Sequence, residues 1–224
     1  MKKKILLFVA IVLVICAAAA AALAACNKAE ETAPSDISRS VTSLYIADGD
    51  DFAVTVETGI CEQPFIADGK VGETAEFATV TVTPLVTLGA EELTFTLTGG
   101  GETPATLTGT LTSGGFGDFK GDISLSFVPE KVSVTADGKT FEATLTDVTS
   151  GKLSSSDAVN IARELFAERI EDERAAGAPS REIYVKLVTG DREHFYYYVS
   201  FIGEGTDYWS VLVEPDDGTI LSKR

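Results

Sequence analysis

The chain has 224 residues, enough for one large domain or two small ones. It carries 18 Lys and Arg against 34 Asp and Glu, a formal charge of −16. A surface this acidic is soluble and repels phosphate polymers and anionic lipid. Nucleic acid is therefore excluded as a partner class, because binding it needs clustered Lys and Arg. Solvation of the surface accounts for the charge more simply than a specific cationic partner does.

The first 25 residues read as a removable export segment. Met1-Lys2-Lys3-Lys4 is a basic start, Ile5 to Ile15 is an unbroken apolar run, and an alanine tract follows Cys16. That order is the pattern of a secretory signal peptide. The run closes on Leu23-Ala24-Ala25-Cys26, which resembles the lipobox of bacterial lipoproteins. The resemblance covers residues 1–26 and implies a diacylglyceryl thioether on Cys26, cleavage before it, and anchorage at the extracytoplasmic face of the cell membrane. Two acyl chains are what stable anchoring requires. The alternative is an uncleaved signal anchor, since Ile5–Ala25 is long enough to span a bilayer. Loss of Lys2, Lys3 and Lys4 lowers the 18 basic residues to 15 against 34 acidic, a mature charge of −19.

Of the 3 cysteines, Cys16 leaves with the signal and Cys26 takes the lipid, so Cys61 remains without a disulfide partner. The fold must be held by its cores, although an exported compartment would permit disulfides. Residues 26–36, rich in Ala, Glu, Thr, Pro and Ser without apolar periodicity, are expected to form a flexible stalk.

Residues 37–150 alternate apolar and polar positions between turn signals. Leu44 and Ile46, then Phe52, Val54 and Val56, then Phe77, Val80 and Val82, mark the first strands. Leu93, Phe95 and Leu97 precede Gly99-Gly100-Gly101, and Leu107 and Leu111 flank a Thr-rich run. Ile123, Leu125 and Phe127 mark another strand, and Val132 and Val134 lead through Asp137-Gly138 to Phe141, Ala143 and Leu145. A period of two with Thr on the polar side places one face in a core and one in water. Asp137-Gly138 is a tight-hairpin signal. Seven or eight such strands predict an all-β N-terminal domain, an antiparallel sandwich that resembles immunoglobulin-like domains in pattern but lacks their Cys…Trp…Cys spacing.

Residues 151–224 change period. Ser154-Ser155-Ser156-Asp157 offers helix N-caps. Ala158, Ile161, Ala162, Leu165, Phe166 and Ile170 then form one apolar stripe on a helix of about five turns, ended by Ala176-Gly177-Ala178-Pro179. Strands follow at Ile183–Leu187, Phe195–Phe201, Trp209–Val213 and Ile220. One striped helix on one half-apolar meander makes an α+β C-terminal domain with a core of its own, expected to fold alone. Residues 154–221 resemble a PepSY-like domain, through Ser155-Ser156-Asp157-Ala158-Val159-Asn160-Ile161-Ala162, Tyr197-Tyr198-Val199-Ser200-Phe201 and the close from Tyr208 to Leu221 with its Asp216-Asp217-Gly218 turn. Members occur in propeptides of thermolysin-type peptidases and in many envelope proteins. The resemblance implies restraint of a peptidase or binding of another envelope ligand. No peptidase follows the segment here, so restraint is expected only in trans.

Catalytic equipment is sparse. A single histidine, His194, rules out paired-histidine metal sites. A Cys61–His194 nucleophile pair would have to span both expected domains, and Cys61 reads more simply as a packing residue. Gly138-Lys139-Thr140 lacks the first glycine of a phosphate loop. Asp48–Asp51 and Asp216–Gly218 are explained by Asx-type turns without calcium. No cofactor and no metal are expected.

The aromatic cluster of Tyr196, Tyr197, Tyr198, Phe201, Tyr208 and Trp209 is the strongest functional feature. In a strand, Tyr197 and Phe201 face one way and Tyr196 and Tyr198 the other. Tyr196, Tyr198 and Trp209 are the candidate binding surface, because tyrosine offers large contact area at low entropy cost. The plain alternative is that these rings only cover a sheet face. The expectation is a non-catalytic protein- or peptide-binding module of the cell envelope. Two alternatives stand beside it: a carbohydrate-binding surface protein, and a hydrolase with an acidic site.

Overall fold

The computed structural model describes residues 36–100, 103–114, 117–205 and 207–224. The expected signal peptide, Cys26 and all of the stalk but Asp36 lie outside these residues.

Nine strands come first: β1 (Ile37–Asp48), β2 (Phe52–Glu62), β3 (Thr74–Pro84), β4 (Glu92–Gly99), β5 (Thr106–Thr112), β6 (Phe119–Ile123), β7 (Pro129–Ala136), β8 (Lys139–Thr144) and β9 (Thr146–Asp147). Two helices follow, α1 (Ser155–Leu165) and α2 (Ala167–Ala175), then β10 (Glu182–Thr189), β11 (Phe195–Ile202), β12 (Tyr208–Val213) and β13 (Ile220–Lys223). Among the described residues the protein is mostly β, with largely antiparallel sheets and two helices.

The alternating positions enter the core as the period predicts. Phe52, Val54, Val56, Val80 and Val82 from one sheet meet Leu93, Phe95, Leu97, Val132 and Val134 from a second sheet, of order β5-β4-β7-β8. At the β7–β8 turn, Asp137 and Gly138 both take positive φ, 49° and 74°, as a tight right-twisting hairpin requires. The strand expected over Ile123–Phe127 lies earlier, as β6. Phe119 at its start is buried opposite Val82, whereas Leu125 and Phe127 only pack on the core from outside any strand.

α1 begins with a capping box. Ser154 Oγ accepts from the Asp157 N–H at 3.1 Å, and the Asp157 carboxylate accepts from the Ser154 N–H at 2.9 Å. The expected single helix breaks at Phe166, whose φ of −100° and ψ of 15° leave the helical region. Its ring packs edge-on to Phe201 and Trp209, at 5.6 and 5.0 Å between centroids. α2 buries none of its residues.

The other sheet runs β13-β12-β11-β10-β1-β2-β3-β6, with β9 paired to β1 off this path. It crosses the boundary expected at residue 150, because β1 pairs in parallel with β10. Residues Asp36–Arg224 accordingly form one compact unit. The two expected segments keep separate cores on that shared sheet, but the second recruits Ile37 from β1 to Ala158, Ile183, Tyr197, Phe201 and Trp209. Further ties cross the same line. Arg192 donates to Asp48 at 2.6 Å and to the Val54 carbonyl at 3.1 Å, and the Phe65 ring lies 5.1 Å from Tyr184.

The most buried of these ties is ionisable. Glu182 is 1% exposed; its carboxylate accepts from Ser38 Oγ at 2.6 Å and from the Gly69 N–H at 3.1 Å. Burial pushes its pKa up, with Glu62 and Asp68 adding to the rise, while the Ser38 and Gly69 donors oppose it. The folded chain thus holds this proton more tightly than the unfolded one. Ionised Glu182 subtracts stability above its raised pKa, and acidification through that window restores it.

Candidate functional site

β11 divides its aromatic residues between two environments. Tyr197 and Phe201 face the helices and are buried. The Tyr197 hydroxyl donates to the Leu153 carbonyl at 2.9 Å, and burial pushes its pKa up to about 12, so the phenol stays neutral. Tyr196 and Tyr198 point away from the helices and are half-buried. Tyr198 sits across from Lys186 on β10 and Leu212 on β12, and the Lys186 ammonium lies 5.4 Å from its ring centroid.

Trp209 does not join them. It pairs across the strands with Phe201, so it shares the helix-facing side and is 1% exposed. Its ring stacks on Phe201 at 5.0 Å and 12°. The guanidinium carbons of Arg169 and Arg181 lie 4.5 and 4.6 Å from its centroid. The aromatic residue of β12 that shares the side of Tyr198 is instead Tyr208, one residue earlier than Trp209 and paired with Ile202; it is 39% exposed and has the Arg224 guanidinium 5.2 Å from its ring. Tyr198, Tyr208, Leu212 and Arg224 line a shallow depression of about 250 Å³.

By register, the outward positions of β10 to β12 are Tyr184, Lys186, Val188, Tyr196, Tyr198, Ser200, Ile202, Tyr208, Ser210 and Leu212, with Ser222 and Arg224 beside them. The one carboxylate within the bounds of β10–β13, Glu182, is buried beneath the Gly69 loop; Glu57, paired with Arg39 beside Tyr184, and half-buried Glu214, just past β12, border these strands. In a chain of formal charge −16, the strands β10–β13 present tyrosines and cations with no exposed acid within their own bounds.

The other polar candidates are separately engaged. Cys61 is half-buried on β2 opposite Arg39. His194 is exposed in the turn before β11, 2.8 Å from Asp191, which raises the imidazole pKa. The Asp191 carboxyl is held well below the carboxylate range by the His194 and Glu193 N–H groups and the His194 ring. Cys61 and His194 form no bond to each other. Asp48 is paired with Arg192, Asp51 with Lys139 at 3.5 Å and Asp216 with Lys152, while Asp217 Oδ1 accepts from the Thr219 N–H at 2.9 Å.

Among the described residues no three His, Cys, Asp or Glu side chains converge as a metal centre requires, and no helix is long and apolar enough to cross a membrane. Compared with known proteins, the chain matches no family model, no curated protein and no solved structure.

Proposed function

We propose that this is a lipid-anchored protein of the extracytoplasmic membrane face that binds a polypeptide without turning it over. In this reading Cys26 carries the lipid, β1 to β9 are an immunoglobulin-like sandwich, and α1 to β13 are a PepSY-like module. The observation that carries the binding function is the outward face of β10–β13. Tyr196, Tyr198 and Tyr208 stand there with Lys186 and Arg224, on strands that carry no exposed acid within their bounds in an otherwise acidic chain. Tyrosines beside cations suit an acidic stretch of polypeptide, which meets both ring surface and charge.

The test is capture of envelope proteins by the detergent-solubilised chain, repeated with Tyr196→Ala/Tyr198→Ala. Each truncation is expected to cost about 2 kcal/mol of binding, roughly thirtyfold, if the rings anchor the interface. The variant's thermal melt should stay close to that of the parent, since both rings lie outside the core. Equal capture by both proteins would remove these tyrosines from the site. The depression between Tyr198 and Tyr208 favours a second reading, a sugar ring stacked on tyrosine. Retention of the chain on cell-wall glycans in place of any protein would support that reading.

The anchor is tested separately. Cys26→Ser is expected to abolish fatty-acid incorporation and leave the precursor uncleaved. A variant that still takes up labelled palmitate would remove the lipobox reading.

A further inference from the structure

The loop between β2 and β3, residues 63–73, closes on itself and carries an apolar tip. The Gln63 N–H donates to the Glu73 carbonyl at 3.0 Å, so its ends meet, as in a compact surface loop. Pro64, Phe65, Ile66 and Ala67 follow one another at its start, and all four are exposed among the described residues. Phe65 is 40% and Ile66 54% exposed. Apolar residues scattered singly on a surface need no explanation, but a consecutive run with two large side chains marks a contact with something apolar. We infer that this tip rests in the lipid interface of the membrane, given the reading of residues 1–26 as an anchor. The tip is separate from the face that carries Tyr196, Tyr198 and Tyr208.

Position selects lipid over other apolar partners. β1 and β2 are antiparallel, with Arg39 opposite Cys61, so the end of β2 lies beside the start of β1. Glu182 ties the two together: its carboxylate accepts from Ser38 Oγ and from the Gly69 N–H of the loop, and the next residue, Ile183, donates its N–H to the Asp36 carbonyl at 2.7 Å. The loop thus stands at the end of the sheet where the chain enters from its anchor. Asp36 comes ten residues after Cys26, a connection that spans at most roughly 35 Å. The bilayer stays within that distance of this end, and a tethered tip needs only weak affinity because the anchor already keeps its local concentration high.

The loop is also held in the pose that insertion requires. Glu62, 7% exposed, accepts from the Gly72 N–H at 2.6 Å and from the Ile66 N–H at 3.5 Å. The Phe65 ring is braced on Tyr184 at 5.1 Å. Backbone groups that enter an apolar layer need internal partners. Pro64 has no N–H, the Ile66 N–H faces Glu62, and the Ile66 carbonyl accepts from the Asp68 N–H at 2.8 Å. Asp68, the first charge past the tip, is turned back, its carboxylate accepting from the Lys70 N–H at 3.0 Å. Asp68, Glu73 and Glu76 outnumber Lys70 here, which suits a zwitterionic lipid surface better than an anionic one.

The probe is a phosphatidylcholine vesicle with brominated acyl chains, which quench indole emission at short range. The full chain is purified with its anchor and reconstituted as the parent, as Ile66→Trp and as Leu85→Trp. The parent supplies the background, since its one tryptophan, Trp209, is 1% exposed. Leu85 is 55% exposed, but its N–H donates to the Asp51 carbonyl at the β1–β2 turn, the opposite end of the sheet from Asp36. The added indole of Ile66→Trp is expected to shift to shorter wavelength and to lose on the order of half its emission, and that of Leu85→Trp to lose about fivefold less. Phe65→Trp repeats the measurement from the neighbouring position if Ile66→Trp fails to fold. Flotation of the chain with the vesicles separates the two readings. A chain that floats but whose indole at the tip stays unquenched, or is quenched no more than that of Leu85→Trp, would overturn the lipid contact and leave the anchor standing. A chain that does not float would overturn both.

Discussion

Cut at Gly151, the C-terminal segment Gly151–Arg224 is expected to lose its cooperative melt, whereas Asp36–Arg224 should unfold in a single transition. The sequence alone favours the opposite outcome, because the helix stripe and the meander face match each other. The continuous sheet changes the balance. Excision removes β1 from the flank of β10 and strips the parallel pairing that starts at Ile37 and Ile183. It also removes Ile37 from the core and takes away the Ser38 and Gly69 donors from Glu182. A fragment of this size has a marginal core even when complete. An opened edge at β10 adds unpaired backbone groups and a site for association. Circular dichroism melts and amide exchange of the two chains check this. A sharp transition of the fragment near that of Asp36–Arg224 would show that the two cores are independent units joined by dispensable pairing.

What the sequence disclosed and what it hid follow from range. The period of two from Phe52 to Val56 and from Val80 to Val82, the Asp137-Gly138 turn and the Ser154–Asp157 capping box are all local, and each appears where its residues place it. The pairing of β1 with β10 is not local. It joins residues more than 140 apart, through a strand with register shifts at Ile37/Arg39 and Val41/Ser43 that no period reveals. The site was half legible for the same reason. Alternation alone separates Tyr196 and Tyr198 from Tyr197 and Phe201. Deciding between Tyr208 and Trp209 as their companion needs the register of β11 on β12, where Phe201 meets Trp209. The cleft beside Trp209 was not legible at all, since Asp36, Arg163, Arg181 and Trp209, which line it, come from four separate places in the chain. The break at Phe166 was hidden too, because its cause is an aromatic contact with β11 and β12 rather than a local breaker.

That contact makes Trp209→Ala the single substitution expected to cost most in stability, about 3–5 kcal/mol. The indole is packed against Phe201 and two guanidinium groups and touched edge-on by Phe166, so its removal takes contacts from β11, from α2, from the break between the helices and from the segment before β10. The hole left behind would open onto the neighbouring cleft of about 490 Å³. Water and α2 can then relax into it, which places the loss toward the lower end of that range. Trp209→Phe should cost a smaller part, because it keeps a ring on Phe201 and removes the indole N–H that has no acceptor among the described residues. Tyr208→Ala, one residue away on the outward face, is expected to change stability by about 0.5 kcal/mol or less, as surface substitutions do. Denaturant midpoints of the three variants at constant slope measure all of this. If Tyr208→Ala proved as costly as Trp209→Ala, the outward face would be a packed interior. The tyrosines on it would then be core residues, and the proposed binding surface would be lost with them.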